Sequence, residues 1–320
     1  MSRTLALTGS TGFIGATLLR KLTRAGWKVH ALHRHSVSRF RLDAGEDAIE
    51  WVRGSLEDSE SLVRLVRGAE VVVHCAGAIR GASADEFRKV NVEGVMRLAD
   101  ASQKARPRPR VLLISSLAAR EPQLSHYAAS KRAGEDALRS AAAGMSWTAL
   151  RPPAVYGPGD RETLPLVRCM QRGFSPILGR SDARFSLLFV DDLADAVRHL
   201  LESAQWSEAP FEIHDGQTGG YTWEELIQTV AQIIGRPVRR FRIPDWFIQA
   251  AARGNLWLSR GIGYAPMLTP GKVRELTHPN WVCNDAALRR ATGWGPRFQL
   301  EAGMRRTLEH LRNGRWMVER

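Results

Sequence analysis

The chain has 320 residues, 44% hydrophobic and 25% charged, enough apolar matter for one large core or two unequal lobes of an ordinary globular protein. No apolar run is long enough to span a bilayer, and Cys75, Cys169 and Cys283 stand far apart with no CxxC pair, which argues against a disulfide framework or a zinc site and fits a reducing compartment. The net charge of +13 favours anionic partners such as phosphorylated cofactors or anionic lipid surfaces, or else reflects a basic proteome; no recognition motif accompanies it, so no nucleic acid partner is expected.

Met1-Ser2-Arg3 runs directly into Thr4-Leu5-Ala6-Leu7-Thr8 and then glycines, too short an apolar stretch for a leader, and a cytoplasmic chain is expected. Short β-branched or apolar runs predict strands at Arg3–Thr8, Lys28–His33, Ile49–Arg53, Glu70–Cys75, Arg110–Ser115 and Ser146–Arg151. Amphipathic stretches between them predict helices at Phe13–Arg24, Ser59–Arg67, Asp85–Gln103 and Ser125–Ala142. This alternation predicts an α/β fold, a Rossmann-type doubly wound parallel sheet with helices on both faces, over residues 1–151. After Arg151-Pro152-Pro153 prolines recur and helices dominate. A smaller, mostly helical substrate-binding lobe is expected over 152–320, with Arg184–Val190 returning as a strand.

The turn after the first strand reads Thr8-Gly9-Ser10-Thr11-Gly12-Phe13-Ile14-Gly15. Its GxxGxxG spacing, between a strand and a helix, lets backbone approach a pyrophosphate and offers the helix's free N–H groups to it. Gly9, Thr11, Gly12, Phe13, Ile14 and Gly15 are therefore candidate cofactor contacts. An acid at the end of the second strand would select NAD through the ribose 2′-hydroxyl. The strand ends Ala31-Leu32-His33-Arg34-His35 instead. Arg34, assisted by Arg39 and Arg41, suits a 2′-phosphate, so NADP is favoured over NAD, the alternative being Arg34 stacked on the adenine of NAD.

Tyr127 and Lys131 form a YxxxK pair on a predicted helix, four residues apart and so on one face. A free tyrosine titrates at about pH 10; a neighbouring lysine cation is expected to lower that value and ready the phenol for proton transfer. Ser115-Ser116 end the fifth strand, where a serine can hydrogen-bond a substrate oxygen. Asp191 and Asp192 look like a carboxylate pair, yet a helix cap near Leu193 explains one of them better. His74 reads as a packed strand-end residue, and His33 and His35 lie too near the ribose position to suggest a metal. No cluster has metal-ligand spacing, and no metal is expected.

In this order these segments resemble the short-chain dehydrogenase/reductase superfamily, in its extended or atypical branch, the NAD-dependent epimerase/dehydratase family. The resemblance covers nearly the whole chain. TGSTGFIG at 8–15 matches the family's glycine motif, and His74-Cys75-Ala76-Gly77 matches the segment under the cofactor, implicating Ala76 and Gly77. Asn91, in Val90-Asn91-Val92-Glu93-Gly94, matches the asparagine that supports the proton relay; Ser116, Tyr127 and Lys131 match the catalytic triad, with Lys131 also on the cofactor. Arg151–Gly159 resembles the RPxxVYGPG segment that closes over the nicotinamide, implicating Pro153 and Val155, and Phe189–Leu193 resembles the VDD motif that opens a helix. Two departures stand out. Gly54-Ser55-Leu56 carries serine where many members have an adenine-binding aspartate, so Ser55 and Leu56 offer a weaker contact. The loop Leu117–His126 is shorter than in nucleotide-sugar enzymes, and no asparagine segment grips a sugar-nucleotide diphosphate.

In the second lobe, Ile243–Arg253 predicts a short helix with Asp245 near its cap, continuing into Gly254–Arg260. Trp246, Phe247, Ile248, Trp257 and Leu258 flanked by Arg253 and Arg260 suit a membrane interface, the roof of an apolar pocket, or ordinary core. The resemblance looks closer to the 3β-hydroxysteroid dehydrogenase-like and complex I accessory-subunit-like branches, the latter including bacterial ceramide reductases. It implies a reductase of a ketone on a lipid- or steroid-like substrate such as 3-oxo-ceramide; Arg34 makes NADPH the expected cofactor, and the net charge with the Trp246–Arg260 segment adds an expected peripheral contact with anionic membrane. The alternatives are a nucleotide-sugar epimerase or dehydratase and a non-catalytic complex I-like assembly subunit. The oligomeric state is left open.

Overall fold

The computed structural model describes residues 3–34 and 46–313. In its first half strands and helices alternate: β1 Thr4–Thr8, α1 Phe13–Arg24, β2 Lys28–His33, β3 Ile49–Arg53, α2 Ser59–Val66, β4 Val71–His74, α3 Ala84–Arg88, α4 Gly94–Lys104, β5 Arg110–Ile114, α5 His126–Ala141 and β6 Trp147–Arg151. The second half adds β7 Ala154–Tyr156, α6 Leu164–Gln171, β8 Phe174–Ile177, β9 Arg184–Phe185, β10 Leu187–Phe189, α7 Val190–Glu202 and β11 Phe211–Glu212. It ends with α8 Trp223–Ile234, β12 Arg239–Arg242, α9 Asp245–Ile262, α10 Pro270–Thr277, β13 Asn280–Trp281, α11 Ala286–Thr292 and α12 Leu300–Arg312.

Seven strands form one parallel sheet in the order β11-β6-β5-β4-β1-β2-β3. Their apolar runs follow from burial on both faces. Leu5, Leu7, Val71, Val73, Leu112 and Ile114 meet α1 and α7 on one side, while Ala6, Val72, Val111 and Leu113 meet α2, α4 and α5 on the other. The chain winds one way through β2 and β3 and the other way from β4 onward. The loops after β1 and β4 therefore flank a switch point, the crevice where open α/β sheets bind ligands.

The expected division at residue 151 is crossed by the chain. Leu193, Val197 and Leu200 of α7 share a cluster with Leu18 and Leu22 of α1, because α1 alone leaves much of that sheet face uncovered, and β11 extends the sheet beside β6. The expected strand at Arg184–Val190 forms, but as two pieces pairing outside the main sheet: β9 with β13 and β10 with β7. Pro152 and Pro153, which lack N–H donors, separate β7 from β6. The predicted helix over 85–103 is interrupted by a π-helical turn, Lys89–Glu93. A separate cluster of Tyr156, Met170, Phe189, Val230, Met304 and Leu308 stabilises the second lobe, and Ile248, Ala252 and Val273 fasten α9 to α10. No helix among the described residues is long and apolar enough to cross a membrane.

Candidate active site

Gly9 turns the chain out of β1 with φ +72°, and a Cβ there would lie 2.7 Å from the Ala76 nitrogen; a Cβ on Gly15 would lie 1.9 Å from the Gly9 oxygen. The protein's own packing demands both glycines. Gly12 differs: its Cβ would meet only the Gly9 oxygen, at 3.4 Å. It is exposed and forms the N-cap of α1 with no side-chain cap. Gly12 thus leaves the helix N-terminus open on the solvent side, a cradle that fits a dinucleotide pyrophosphate. Thr11 is exposed beside it, and Phe13 and Ile14 are half-buried. Ile14, Cys75 and Val155 pack on the same cluster, and a Cβ on Gly159 would stand 3.7 Å from the Phe13 ring. The segment that carries the half-buried Pro153 therefore folds over the glycine turn.

Side chains tie the neighbouring strand ends to this turn. The Thr8 hydroxyl and His74 Nδ1 share a 2.7 Å hydrogen bond, and the Ala76 N–H donates to the same hydroxyl at 3.2 Å. Ser10 donates to the Leu32 carbonyl at 2.9 Å, which holds the end of β2, and with it the exposed Arg34, beside the glycines. His35, Arg39 and Arg41 lie outside the described residues. Ser55 spends its hydroxyl on the Glu57 N–H within its own turn, and Leu56 leans on Gly94, where a Cβ would come within 2.8 Å of it.

Ser125 caps α5 by accepting from the Ala128 N–H, and the helix sets Tyr127 and Lys131 one turn apart. Lys131 is buried and donates to the Ile114 carbonyl at 2.8 Å. Burial depresses its ammonium to about 8, with Cys75 and Glu135 pulling the other way. Asn91 sits in the π-helical turn; its amide accepts from the Ala78 N–H at 2.8 Å and donates to the Ala78 carbonyl and the Ser130 hydroxyl. A Cβ on Gly77 would lie 3.2 Å from Asn91 Oδ1 and 3.7 Å from Lys131 Nζ, so the β4 loop, the asparagine and the lysine converge there. Tyr127 packs edge-on to Phe87, ring centroids 6.1 Å apart. Burial pushes its phenol up to about 12; a hydrogen bond with Ser116 opposes the shift and Glu275 adds to it. This corrects the expectation that Lys131 lowers the phenol's pKa. Its ammonium is held on the Ile114 carbonyl and is not among the charges acting on Tyr127.

This glycine cradle beside a Ser-Tyr-Lys constellation coincides with the match between residues 5–213 and the model of the NAD dependent epimerase/dehydratase family. The chain belongs to this family. A ceramide reductase of Caulobacter vibrioides is 38% identical over 98% of this chain and 96% of its own length. A decarboxylating sterol-4-alpha-carboxylate 3-dehydrogenase of Saccharomyces cerevisiae is 26% identical over 96% of this chain and 97% of its own. Among solved structures, UDP-glucose 4-epimerase from Thermotoga maritima, with UDP-glucose, superposes with a TM-score of 0.75 at 22% identity, over 97% of this chain and 99% of that one. This epimerase/dehydratase family member is an NAD(P)-dependent oxidoreductase.

A cavity of about 150 Å³ opens beside Tyr127. Ile79, Phe87, Leu256 and Met267 give it apolar walls; Arg260 and Lys272 line it as well. Lys272 Nζ stands 5.6 Å from the Tyr127 ring centroid and 2.8 Å from the buried Glu275, which also bonds Ser125. Sequence reasoning missed Lys272 and Glu275, for which no local pattern existed. It also missed Glu135, which had a signal: four residues beyond Lys131, it is an acid on the inward stripe of α5. Glu135 is buried, bonds Ser115, and takes Arg151 through Nε at 2.9 Å and Nη2 at 2.5 Å. That separates the two strand-end serines: Ser115 anchors β5 to α5 and β6, while the Ser116 hydroxyl accepts from the Ala118 N–H at 3.2 Å and acts on the Tyr127 phenol.

Several side residues fall into place in this family member. Asp192 does not cap its own helix. Buried in α7, it accepts from the N–H groups of Arg297 and Phe298 at 3.1 and 2.8 Å, and Asp191 faces Arg306 at 3.8 Å. Asp245 lies in the first turn of α9, not at the cap, which is Pro244. The expected short helix is one of 18 residues. Ile248, Ala252 and Ser259 are core, Leu256 and Arg260 wall the cavity, and Trp246, Phe247, Trp257 and Leu258 face solvent.

Proposed function

We propose that this protein reduces, with NADPH, a ketone carried on a bulky apolar substrate of the lipid or steroid class, 3-oxo-ceramide being the first to test. The observation that carries the reading is the cavity beside Tyr127, to which Ile79, Phe87, Leu256 and Met267 give apolar walls and Arg260, Lys272 and Glu275 give charged ones. The ceramide reductase and sterol dehydrogenase relatives support it. When bound, the nicotinamide supplies hydride. The chain's own residues do the rest: Ser116 and Tyr127 hold the ketone oxygen, and Tyr127, kept protonated by burial, gives that oxygen its proton as the carbonyl carbon is reduced. Lys131 and Asn91 hold the nicotinamide side of the cleft through the Ile114 carbonyl and the Ala78 loop. The cofactor choice rests on Arg34, exposed at the end of a strand that offers no carboxylate to a ribose 2′-hydroxyl.

Purified protein incubated with NADPH and 3-oxo-ceramide in detergent is expected to consume NADPH and yield the alcohol by mass spectrometry, with UDP-glucose left unchanged. Interconversion of UDP-glucose without net NADPH consumption would transfer the site to sugar-nucleotide epimerisation. Tight NADPH binding with no turnover of either compound would favour an assembly subunit.

A further inference from the structure

Helix α9 has two apolar faces, and only one has a partner. At about 100° per residue, Ile248, Ala252 and Ser259 form the stripe buried against Val273, Leu178 and Leu268. On the opposite side Trp246, Phe247, Trp257, Leu258 and Ile262 share an arc of roughly 160°, its gaps filled by alanine and glycine. Trp246 is 72% exposed, Trp257 78% and Ile262 68%. No charge interrupts this arc; Arg253 and Arg260 border it. The strand leading into the helix, Arg-Arg-Phe-Arg at 239–242, is exposed throughout. Between residues 236 and 260 six arginines stand against one carboxylate, Asp245. Of these arginines Arg240 pairs with Glu224 at 3.1 Å, while Arg239, Arg242, Arg253 and Arg260 form no ion pair among the described residues. Leu256 and Arg260, on the border between the two faces, wall the cavity that reaches Tyr127.

We infer that the outward face of α9 docks on an anionic phospholipid bilayer and delivers substrate along its edge into the Tyr127 cavity. The delivery half of the inference rests on the apolar-substrate reading above. A helix with a wide apolar arc, tryptophans in it and arginines at its rim has the chemistry of an interfacial helix lying flat among headgroups. The rim carries the charge that anionic headgroups attract. A second copy of the chain is a poorer occupant, because it would gather two sets of arginines without ion pairs, Arg239, Arg242, Arg253 and Arg260, around one contact with only Asp245 from each copy in the same stretch to oppose them.

The test is flotation of the full chain with vesicles of phosphatidylcholine alone or mixed with phosphatidylglycerol. Binding to the anionic vesicles is expected to weaken with salt without vanishing, since salt screens the arginines and not the aromatic burial. Trp246→Ser combined with Trp257→Ser is expected to lower the partition coefficient by at least about tenfold. Because both side chains are exposed, melting temperature and NADPH affinity should stay at wild-type values. Arg253→Gln is expected to lower binding to anionic vesicles by about fivefold and leave the residual binding to neutral ones unchanged. Undiminished vesicle binding in the double tryptophan variant would overturn the proposal. So would a concentration-dependent dimer of the wild type that the variant abolishes, since a second copy would then cover the arc. The readout uses no substrate: a vesicle-bound protein that reduces no ketone would reject the reductase reading alone, and a reductase active in detergent that ignores vesicles would reject the docking alone.

Discussion

Gly9 and Gly15 shape the turn after β1, the proposed cofactor side of the cleft, through contacts of the backbone with itself, whereas the cavity beside Tyr127, the proposed substrate side, is assembled from side chains far apart in the chain: Ile79, Phe87, Leu256, Met267 and Lys272. The first kind of site leaves a mark at fixed spacing, because only glycine tolerates a positive φ or a Cβ-free approach. The second kind leaves residues that look like any other apolar or charged side chain until the fold brings them together. Tyr127 stands where the two meet, with Ser116 and Lys131 on one flank and Phe87 and Lys272 on the other.

The sharpest way to separate the two sides is to remove chemistry without moving either. Tyr127→Phe keeps the ring against Phe87 and deletes the proton. Turnover is expected to fall by about 10²–10⁴-fold, with NADPH affinity, read by fluorescence titration, unchanged. Near-normal turnover would mean that another group protonates the substrate oxygen.

The glycines break the comparison within one turn. Gly15→Ala places a Cβ 1.9 Å from the Gly9 oxygen, and this overlap is expected to cost stability by several kcal/mol, on the order of a core overpacking or more. Gly12→Ala meets nothing closer than 3.4 Å, so its melting temperature should stay near wild type while NADPH affinity drops, because the methyl group occupies the approach to the helix N-terminus. Equal melting temperatures for the two variants would contradict the assignment of Gly15 to packing and Gly12 to ligand.

The same contrast explains what the sequence made legible. Strands buried on both faces read as apolar runs, so β1 to β6 were placed within a residue or two, and the glycine turn was found outright. Asn91 was located, but the π-helical turn around it was not, since Val90–Gly94 carries no helix breaker apart from the glycine that opens α4. Glu275 acquires meaning only through its bond to Ser125, 150 residues away. On α9 the right residues stood out, yet a helix apolar on two faces cannot announce which face has a partner. That was decided by Val273 and Leu268, which lie outside it.

His74 lies on the seam between β1 and β4, and its burial makes the fold sensitive to acid. Burial depresses its imidazole from 6.5 to about 3, with Lys131 contributing. The native state therefore keeps His74 neutral while the unfolded chain takes up a proton below pH 6.5. Stability from this group is intact above pH 6.5 and is lost as pH falls toward about 3. Between pH 6.5 and about 5 the loss should reach about 2 kcal/mol. His74→Asn retains a partner for Thr8 and should flatten the melting temperature over that interval relative to wild type. An unchanged slope would assign the acid sensitivity to other groups.

The smallest expected effect tests the proposed contact between the exposed Arg34 and the cofactor. Arg34 is held near the glycine turn only indirectly, through Ser10 and the Leu32 carbonyl. Being exposed, it contributes little to the apo protein, and Arg34→Ala should leave the melting temperature within about 0.5 kcal/mol of wild type. Its partner would be a doubly ionised phosphate, with which a guanidinium makes paired, charge-assisted hydrogen bonds worth about 1.5–3 kcal/mol. NADPH should therefore bind at least about tenfold more tightly than NADH. Arg34→Ala should erase most of that ratio by weakening NADPH alone. Arg34→Lys should restore only part of it, because an ammonium keeps the charge and loses the planar fork. If Arg34 instead stacks on the adenine, both cofactors lose affinity equally on truncation and the ratio stays where it was. Isothermal titration of the three proteins with both cofactors separates these outcomes, and equal affinities in the wild type would remove the case for NADPH.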